Sequence, residues 1–449
     1  KVDLQFPESG KELVPAQAKK TVVILEGDER KKPTQTKSGS KVWIGLAAAA
    51  VLLSAMFFGW GRLHTDVMLV APKAANAFIK LDGKVVDLHN QEGDNSYYLA
   101  SSQFVGNTDL EVWSTQLSEM GQEEFTRYKA VQKQVDIERS ADGPFTYQLD
   151  FEPLYSVRKV AEGKFPAIAN SGNSIAYIRA ASENSRSNRQ DIYLFDLKSG
   201  EETKIEPRNR GGLNWDGERP YLLGDGSGIY IGAYQYRSDR SLPYRIDTES
   251  GRMTALKLPA KEKWLSFLPL AEGEKIAFQN TLFDTDGNEI KNFSPDTPYL
   301  SKLYPAGNNG LLFFEKTKNK KNRISFSCMY TQPGKAQPQK LFSVSSNIPP
   351  FVSASNGAER VVVSSYSGLN REFLTTIQLW QNGESVDLTP RFIDGSREFS
   401  DGSEYHKTEA VIDAAGKRIV YEYESNIYLL EIADGVSFTD LLAAVKPVK

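Results

Sequence analysis

One repeated unit of short alternating strands fills residues 155–436, and it constrains the fold more than any other feature. In the first copy, residues 165–205, a polar turn precedes an apolar strand at 175–178. A polar loop then leads to a second strand at 191–197, a Lys-Ser-Gly turn and a closing strand. Period-two runs broken by Gly, Asn and Asp are typical of β-structure. Further copies begin near Tyr221, Trp264, Tyr299, Pro349 and Thr408, at spacings of about 35–60 residues.

The first copy resembles a blade of the TolB-like propellers. Those blades run Pro…Ser-Pro-Asp-Gly-Lys, then Ile-Ala-Phe, then Ile-Tyr-x-x-Asp-x-x-x-Gly. The second half matches this pattern through Ile192, Tyr193, Asp196 and Gly200, and residues 171–173 are a degenerate first turn. The resemblance implies a six-bladed β-propeller over residues 154–436, in which each four-stranded blade covers its faces with its neighbours. A tandem of β-sandwiches is the alternative.

The resemblance also predicts how the ring closes. In TolB-like propellers the last blade takes one strand from the segment before the first blade. Residues 155–161 alternate and have the required length, so we expect them to pair with residues 427–432. Ser437 and Asp440 then form a capping box for a short helix at 438–445, packed on the outside of the ring, within a C-terminal segment of residues 437–449.

Residues 42–60 form a run of 19 residues without a charge. A helix of this length covers about 28 Å, which matches the hydrocarbon core of a bilayer. Trp43 and Trp60 bracket the run as interface anchors. A cleaved signal peptide is disfavoured by the long polar region before it, and a buried core helix by its lack of a polar face. We therefore predict one transmembrane helix at 42–61.

Basic residues set the orientation. They precede the run as Arg30, Lys31, Lys32, Lys37 and Lys41, whereas only Arg62 follows closely. The positive-inside rule places residues 1–41, a segment of disordered composition, in the cytoplasm. The prediction is a bacterial inner (cytoplasmic) membrane protein whose C-terminal domains are periplasmic or extracellular.

Residues 62–153 predict a separate small β-sandwich-like module next to the membrane. The pieces Pro72, the strand 77–81 and Asp82-Gly83-Lys84 resemble a PEGA-type module. The Thr-Pro and Gly-His pieces of that family are absent, and the resemblance covers under half of the segment. A helix around 116–132 is the one helical candidate in this region of the chain. The predicted fold class is therefore all-β: a propeller plus a small module, tethered by one transmembrane helix.

Composition excludes several function classes. The formal net charge of −3 gives no reason to expect a nucleic-acid partner. A single cysteine, Cys328, rules out an internal disulfide framework, and its place in an alternating strand predicts a buried side chain. The three histidines lie at no metal-ligand spacing from one another or from Cys328. We expect no metal and no cofactor.

Two motifs resemble catalytic or metal-binding loops but fit a simpler interpretation. Residues 224–228 lack the glycines of a Gly-x-Ser-x-Gly nucleophile elbow and fall in a hairpin. In residues 284–288 the glycine comes too early for a calcium loop. Both are predicted to be hairpin turns, and no catalytic residue is assigned.

Two charged loops remain as candidate interaction sites. The basic run between two strands of the fourth blade carries Lys316, Lys318, Lys320, Lys321 and Arg323. It suits an anionic partner, such as a membrane surface or another subunit. The long acidic insert before the last blade carries Asp394, Glu398, Asp401, Glu404 and His406, and it ends at Glu409. It could line the mouth of the propeller or bind a cation.

These features favour a membrane-anchored scaffold or sensor, not an enzyme, whose partners are the membrane and other envelope proteins. The alternative is a carbohydrate-active hydrolase or binding protein that uses the propeller channel, since glycoside hydrolysis requires paired carboxylates.

Overall fold

A computed structural model describes residues 63–445 with gaps. The gaps are 115–123, 141, 181–189, 209, 212, 216–218, 236–239, 259–266, 271–272, 279–280, 293–302, 308–309, 319–323, 333–336, 347–348, 368–373, 391–392 and 394–407. Contacts divide the chain into residues 1–61 and residues 62–449. Because the described residues begin at residue 63, the predicted cytoplasmic segment and transmembrane helix lie outside them. Within those residues, no helix has both the length and the apolar character that crossing a membrane requires.

Most of the segment 62–153 folds into two four-stranded sheets around one apolar core. Their strands are β1 (His64–Pro72), β2 (Ala77–Leu81), β3 (Lys84–Val86), β4 (Leu88–Glu92), β5 (Asn95–Phe104), β6 (Gly106–Ser114), β8 (Val131–Ile137) and β9 (Phe145–Gln148). The hydrogen-bonded order is β4-β5-β1-β9 in one sheet and β3-β2-β6-β8 in the other. The predicted Asp82-Gly83 hairpin joins β2 to β3, with φ of 47° and 72° at the two turn residues. Such positive φ values are what an Asp-Gly hairpin turn requires.

Six antiparallel sheets follow in sequence order, one for each predicted blade. The first blade contains β11 (Lys164–Ile168), β12 (Ser174–Ala180), β13 (Gln190–Asp196) and β14 (Glu202–Ile205), and the second contains β15 (Leu213–Asn214), β16 (Tyr221–Leu222), β17 (Gly228–Gln235), β18 (Arg240–Asp247) and β19 (Met253–Ala255). The third contains β20 (Phe267–Leu270), β21 (Lys275–Phe278), β22 (Thr281–Asp284) and β23 (Glu289–Asn292), and the fourth contains β24 (Tyr304–Ala306), β25 (Gly310–Lys318), β26 (Ile324–Thr331) and β27 (Gln339–Ser345). The fifth contains β28 (Phe351–Ala354), β29 (Val361–Ser367), β30 (Leu374–Gln381) and β31 (Glu384–Asp387). In the second blade both β15 and β16 pair with β17.

The sixth blade confirms the predicted closure. It contains β32 (Val411–Ile412), β33 (Arg418–Tyr423), β34 (Asn426–Ile432) and then β10 (Pro153–Glu162), which comes from before the first blade. Strand β10 runs antiparallel to β34, with Tyr155 opposite Ile432 and Val157 opposite Leu430. The chain ends of the ring are therefore joined by backbone hydrogen bonds, which cover groups that would otherwise be unpaired.

A fifth strand, β7 (Phe125–Tyr128), extends this sheet and was not predicted. It pairs with the other edge of β10, with Phe125 opposite Val157. The predicted helix at 116–132 is therefore wrong at these residues. The reason is packing: Phe125 and Arg127 alternate inward with the period of a strand, and Phe125 packs on Tyr155 with ring centroids 6.4 Å apart.

Apolar clusters between neighbouring blades complete the ring. Separate clusters join blades one and two, two and three, and three and four. A larger cluster spans blades four, five, six and one, and it includes the buried Cys328. Neighbouring blades thus bury their faces against each other around the circle, which is the arrangement of a six-bladed propeller.

The C-terminal helix, α1 (Phe438–Val445), lies where the sequence predicted it. The Asp440 amide donates to the Ser437 hydroxyl at 3.2 Å, and the Asp440 carboxylate accepts from the Ser437 amide at 2.8 Å. This is the reciprocal pattern of a capping box. Phe438 and Leu441 pack against the outer strands of the fifth and sixth blades.

Closure can be tested with Val157→Asp. Val157 is buried in the core between the fifth and sixth blades, so the carboxylate would lose its water without gaining a partner. We expect the free energy of unfolding to fall by about 3–4 kcal/mol in urea titrations. The matched control is Val85→Asp at an exposed position of the module, which should change it by less than about 0.5 kcal/mol. Equal losses in the free energy of unfolding for the two variants would contradict the role of β10 in closing the ring.

Candidate functional site

A narrow cavity lies at the centre of the ring. The innermost strands of all six blades, β11, β16, β20, β24, β28 and β32, contribute to its wall. Its volume is about 70 Å³. Since one water needs roughly 10–15 Å³ of such space, the cavity has room for a few water molecules. Where the structure describes the wall, the side chains of the six blades therefore leave only a narrow space at the axis.

Arg219 lies at the end of the cavity where the innermost strands begin, directly before β16. Its Nη2 donates to the Glu409 carboxylate at 2.7 Å, and its Nη1 donates to the Pro166 carbonyl at 2.5 Å. The guanidinium carbon lies 4.6 Å from the centroid of the Phe351 ring. These partners belong to the sixth, first and fifth blades, so one side chain of the second blade connects four blades.

This ion pair is largely shielded from water. The Arg219 side chain is 11% exposed and the Glu409 side chain 18%. The Arg219 Nε is buried, and no acceptor for it lies among the described residues. Removing one partner of a buried ion pair leaves the other charge buried without compensation. This contact therefore stabilises the ring only while both partners are present.

Glu422 adds a second carboxylate beside the first. Strands β32 and β33 pair with Val411 opposite Val420, and extending this register by two residues places Glu409 opposite Glu422. A Glu422 oxygen accepts the Phe165 amide at 3.0 Å. Burial raises the pKa of the Glu422 carboxyl, and the Glu409 charge adds to this rise. The Phe165 amide, Lys164 and Arg219 act in the opposite direction.

Two buried tyrosines flank these carboxylates. The Tyr304 hydroxyl donates to the Pro350 carbonyl at 3.0 Å, and the Tyr366 hydroxyl donates to the Thr408 carbonyl at 3.1 Å. Burial, reinforced by the Glu409 charge, raises both pKa values well above the ordinary range. Both hydroxyls therefore stay protonated and serve as hydrogen-bond donors that hold the strand ends.

Hairpin turns meet at the opposite end of the cavity, where the innermost strands finish. The Asn356 amide of the fifth blade donates to the Ala414 carbonyl of the sixth at 3.0 Å. The Ala414 amide donates to the Asn170 carbonyl of the first blade at 3.3 Å, and the Ser171 amide to the Gly224 carbonyl of the second at 3.1 Å. Backbone hydrogen bonds therefore connect successive turns of four blades.

Two arginine side chains also connect the turns of neighbouring blades. Arg360 Nη1 donates to the Gly416 carbonyl at 3.0 Å, and Arg418 Nη1 donates to the Gly172 carbonyl at 2.8 Å. The arginines occupy equivalent positions in blades five and six, and each reaches the turn glycine of the next blade. Gly172 and Gly416 have φ of 74° and 72°, which only glycine adopts without strain.

A wider groove opens between the fourth and fifth blades. Its volume is about 360 Å³, about five times that of the central cavity. Both polar and apolar side chains line its wall, and the polar ones include Gln339, Lys340, Glu359 and Gln381. Trp380 also lines it and stacks on Phe342 with ring centroids 4.3 Å apart. No sequence pattern predicted this groove, because its residues are far apart in the chain.

The structure describes only some of the predicted interaction residues. Lys316 is exposed near the end of β25, and the backbone of Lys318 pairs with Ile324 across the hairpin. The other members of both candidate loops lie outside the described residues: Lys320, Lys321, Arg323, Asp394, Glu398, Asp401, Glu404 and His406. Glu409 closes the acidic loop and points to the ring centre, where Arg219 binds it. Arg219 itself was missed, because nothing in its local sequence distinguishes it from a surface arginine.

Both hairpin predictions agree with the structure. Residues 224–227 form the turn between β16 and β17, in which the Asp225 carboxylate accepts the Ser227 amide at 2.9 Å. In residues 284–288 the Asp284 carboxylate accepts the amides of Asp286 and Asn288 at 3.0 and 2.8 Å. Over the described residues of the chain, no group of three or more His, Cys, Asp or Glu residues is placed to hold a metal ion.

Neither a protein-family model nor a curated protein matches the chain. Solved structures similar to it include TolB from Acinetobacter baumannii, with 10% identity over 74% of this chain and 77% of that one, at a TM-score of 0.37. An oligogalacturonate lyase in complex with manganese is 12% identical over 70% and 87%, at 0.42. The β-propeller domain of the trilobed protease from Pyrococcus furiosus is 12% identical over 86% and 99%, at 0.36.

These similar structures are β-propeller proteins and enzymes of different kinds. At such low identity and TM-score they add nothing to what the sheets and the cavity already show. They do not support the PEGA-like interpretation of residues 62–153, which stays a prediction.

Breaking the central ion pair should loosen the ring. Arg219→Met leaves the Glu409 carboxylate buried without its counter-ion, and we expect a loss of about 2–4 kcal/mol in the free energy of unfolding. Adding Glu409→Leu should restore most of that loss, since neither charge then remains buried. Urea unfolding of the two single variants and the double variant measures the coupling. Additive losses in the double variant would contradict a direct interaction.

Glu422→Gln should stabilise the protein increasingly as pH rises. Because the folded-state pKa of Glu422 is raised, folding favours its protonated form, and the penalty for the carboxylate grows as pH rises from about 4.3 through that raised pKa. The glutamine oxygen can still accept the Phe165 amide but carries no charge. The variant should gain little over the wild type near pH 4 and clearly more near pH 7, measured by urea unfolding. A constant difference across this range would be inconsistent with the raised pKa.

Proposed function

We propose that this chain is a membrane-anchored scaffold or sensor whose exported propeller binds other proteins of a cell-envelope complex. The observation that carries the proposal is the narrow cavity at the ring axis. Where the structure describes its wall, this cavity has a volume of about 70 Å³ and an ion pair at one end, which leaves little room for a substrate there. Binding on the surface of the ring, where the groove between the fourth and fifth blades alone has about 360 Å³, is then favoured over binding at the axis.

The anchoring component of the proposal rests on sequence. The charge-free run at 42–60 has the length and flanking tryptophans of a transmembrane helix, and basic residues dominate its N-terminal side. We propose that residues 1–41 are cytoplasmic and that the β domains lie in the periplasm or outside the cell. Alkaline extraction of membranes should leave the chain in the pellet, and protease added to spheroplasts should reach the β domains.

The basic run at the end of the β25–β26 hairpin is the proposed contact for an anionic partner. Strands β25 and β26 stay paired as far as Lys318 and Ile324, so the basic run begins and ends on neighbouring strands of the fourth blade. Like-charged side chains concentrated at one hairpin tip attract an acidic surface and steer its approach.

Charge reversal tests this contact. In one variant of the full chain, studied in detergent, Glu would replace Lys316, Lys318, Lys320, Lys321 and Arg323. In a matched control, Glu would replace five exposed basic residues away from the groove, Lys73, Lys84, Arg139, Lys198 and Arg252. Affinity purification with quantitative mass spectrometry should recover an envelope protein with the wild type and the control but not with the test variant. Its recovery should also fall with added salt. Equal recovery with both variants would contradict the assignment.

A carbohydrate-active enzyme is the second candidate, and one arrangement favours it. Glu409 and Glu422 lie opposite each other at the cavity mouth, and the pKa of Glu422 is raised as in a general acid. Release of reducing ends from cell-wall glycans or pectic oligosaccharides by the purified chain would support an enzyme. Loss of that activity in Glu422→Gln would place it beside Arg219 at the axis, and its loss in Asp401→Ala would assign it to the acidic insert; either result would overturn the scaffold proposal.

A further inference from the structure

Exposed apolar side chains concentrate in the module, not in the propeller. Among the described residues, six large hydrophobic side chains are strongly exposed, and five of them belong to residues 63–105. Three of these five come together at one end of a sheet: Leu63 is 57% exposed, Phe104 59% and Val105 37%. Exposed apolar side chains concentrated in one place mark an interaction site more often than scattered single residues do.

The three side chains are held in place by paired strands. The Val105 amide donates to the Leu63 carbonyl at 2.9 Å, and Phe104 lies opposite His64 in the β1–β5 ladder. The rings of His64 and Phe104 have centroids 4.1 Å apart. Further along the same two strands, Val67 and Tyr98 are buried in the module core. The apolar end, defined here as Leu63, Phe104 and Val105, is therefore a fixed feature of the folded sheet.

Chain connectivity places this end close to the proposed membrane anchor. Leu63 follows Trp60, the last residue of the charge-free run, by three residues. Three residues span at most about 11 Å even when fully extended. If the run crosses the bilayer, the apolar end lies within reach of the headgroup layer on the exported side, whatever path the short link takes.

We propose that the apolar end inserts into the surface of the same membrane that holds the anchor, with Phe104 entering the boundary between headgroups and acyl chains. This inference rests on the proposed anchoring of the chain. A lipid occupant fits better than a protein, because three side chains are far fewer than the roughly 20–30 residues a stable protein interface uses on each side. The covalent link also keeps lipid at a high effective concentration beside these side chains.

Such contact would attach the exported domains to the membrane at two points. A second apolar contact would restrict the tilt of the module against the membrane surface. Because β7 joins the module segment to the sixth blade through β10, the propeller would share that restriction.

A site-specific fluorophore can test the insertion. Cys328 is fully buried and burial raises the pKa of its thiol, so it should resist labelling in the folded chain. Phe104→Cys and Val105→Cys would each be labelled with an NBD maleimide. The control is Ile290→Cys, at a position that is 48% exposed on the third blade. The full chain would be reconstituted into phosphatidylcholine vesicles with or without brominated acyl chains.

We expect a blue-shifted emission at positions 104 and 105 that brominated lipid quenches, and neither effect at position 290. Alkaline extraction of the same vesicles separates the possible failures. A chain that is extracted overturns the anchor and this inference with it. A chain that is retained but shows equal, unquenched emission at 104 and 290 overturns the insertion alone. A blue shift that depends on protein density and not on bromine would identify a second protein copy as the occupant and overturn the lipid assignment.

Discussion

The pairing of β10 with β34 is the contact on which the rest of the propeller depends. The innermost strands of the blades are short, and several have only two to four residues, so each blade depends on its neighbours for burial. A ring of such blades keeps its buried faces only when its ends are joined. Strand β10 provides that joint, because Tyr155 and Val157 add their side chains to the core between the fifth and sixth blades. Every contact at the axis presupposes this closure.

The two ends of the axis are organised by different physics. At one end, backbone and arginine hydrogen bonds connect successive turns, so geometry is set by the repeated turn conformation. At the other end, Arg219 joins four blades through an ion pair, a carbonyl contact and an aromatic ring. The electrostatics around Glu422 depend on protonation, and so does the buried Asp413 carboxyl at the turn end, whose pKa is raised by burial. Both ends of the axis therefore contain a carboxyl group through which pH can act.

Local pattern predicted much of this fold, and tertiary placement explains what it missed. Alternation and turn residues were enough for the six units and the Ser437 cap, because each depends on residues close together in sequence. The pairing of residues 155–161 with the last blade joins distant parts of the chain, and it was predicted from the resemblance to TolB-like propellers. Strand β7 was assigned to a possible helix, since four residues carry too little periodicity to reveal an edge on β10. Arg219 and the groove beside Trp380 arise from residues brought together by the ring, which no local pattern encodes. Most residues of the two charged loops lie outside the described residues, so their role stays a prediction.

The shared sheet of the sixth blade has a mechanical consequence. Strand β10 lies between β34 and β7, so the segment leading from the N-terminus and the last blade are bonded to opposite edges of one strand. A pull on the module along these strands would load the whole hydrogen-bond ladder in parallel, instead of opening its bonds one at a time. Tension applied along these strands would thus be carried by backbone ladders before it reached any loop. The fifth strand makes the joint a seam that resists shear.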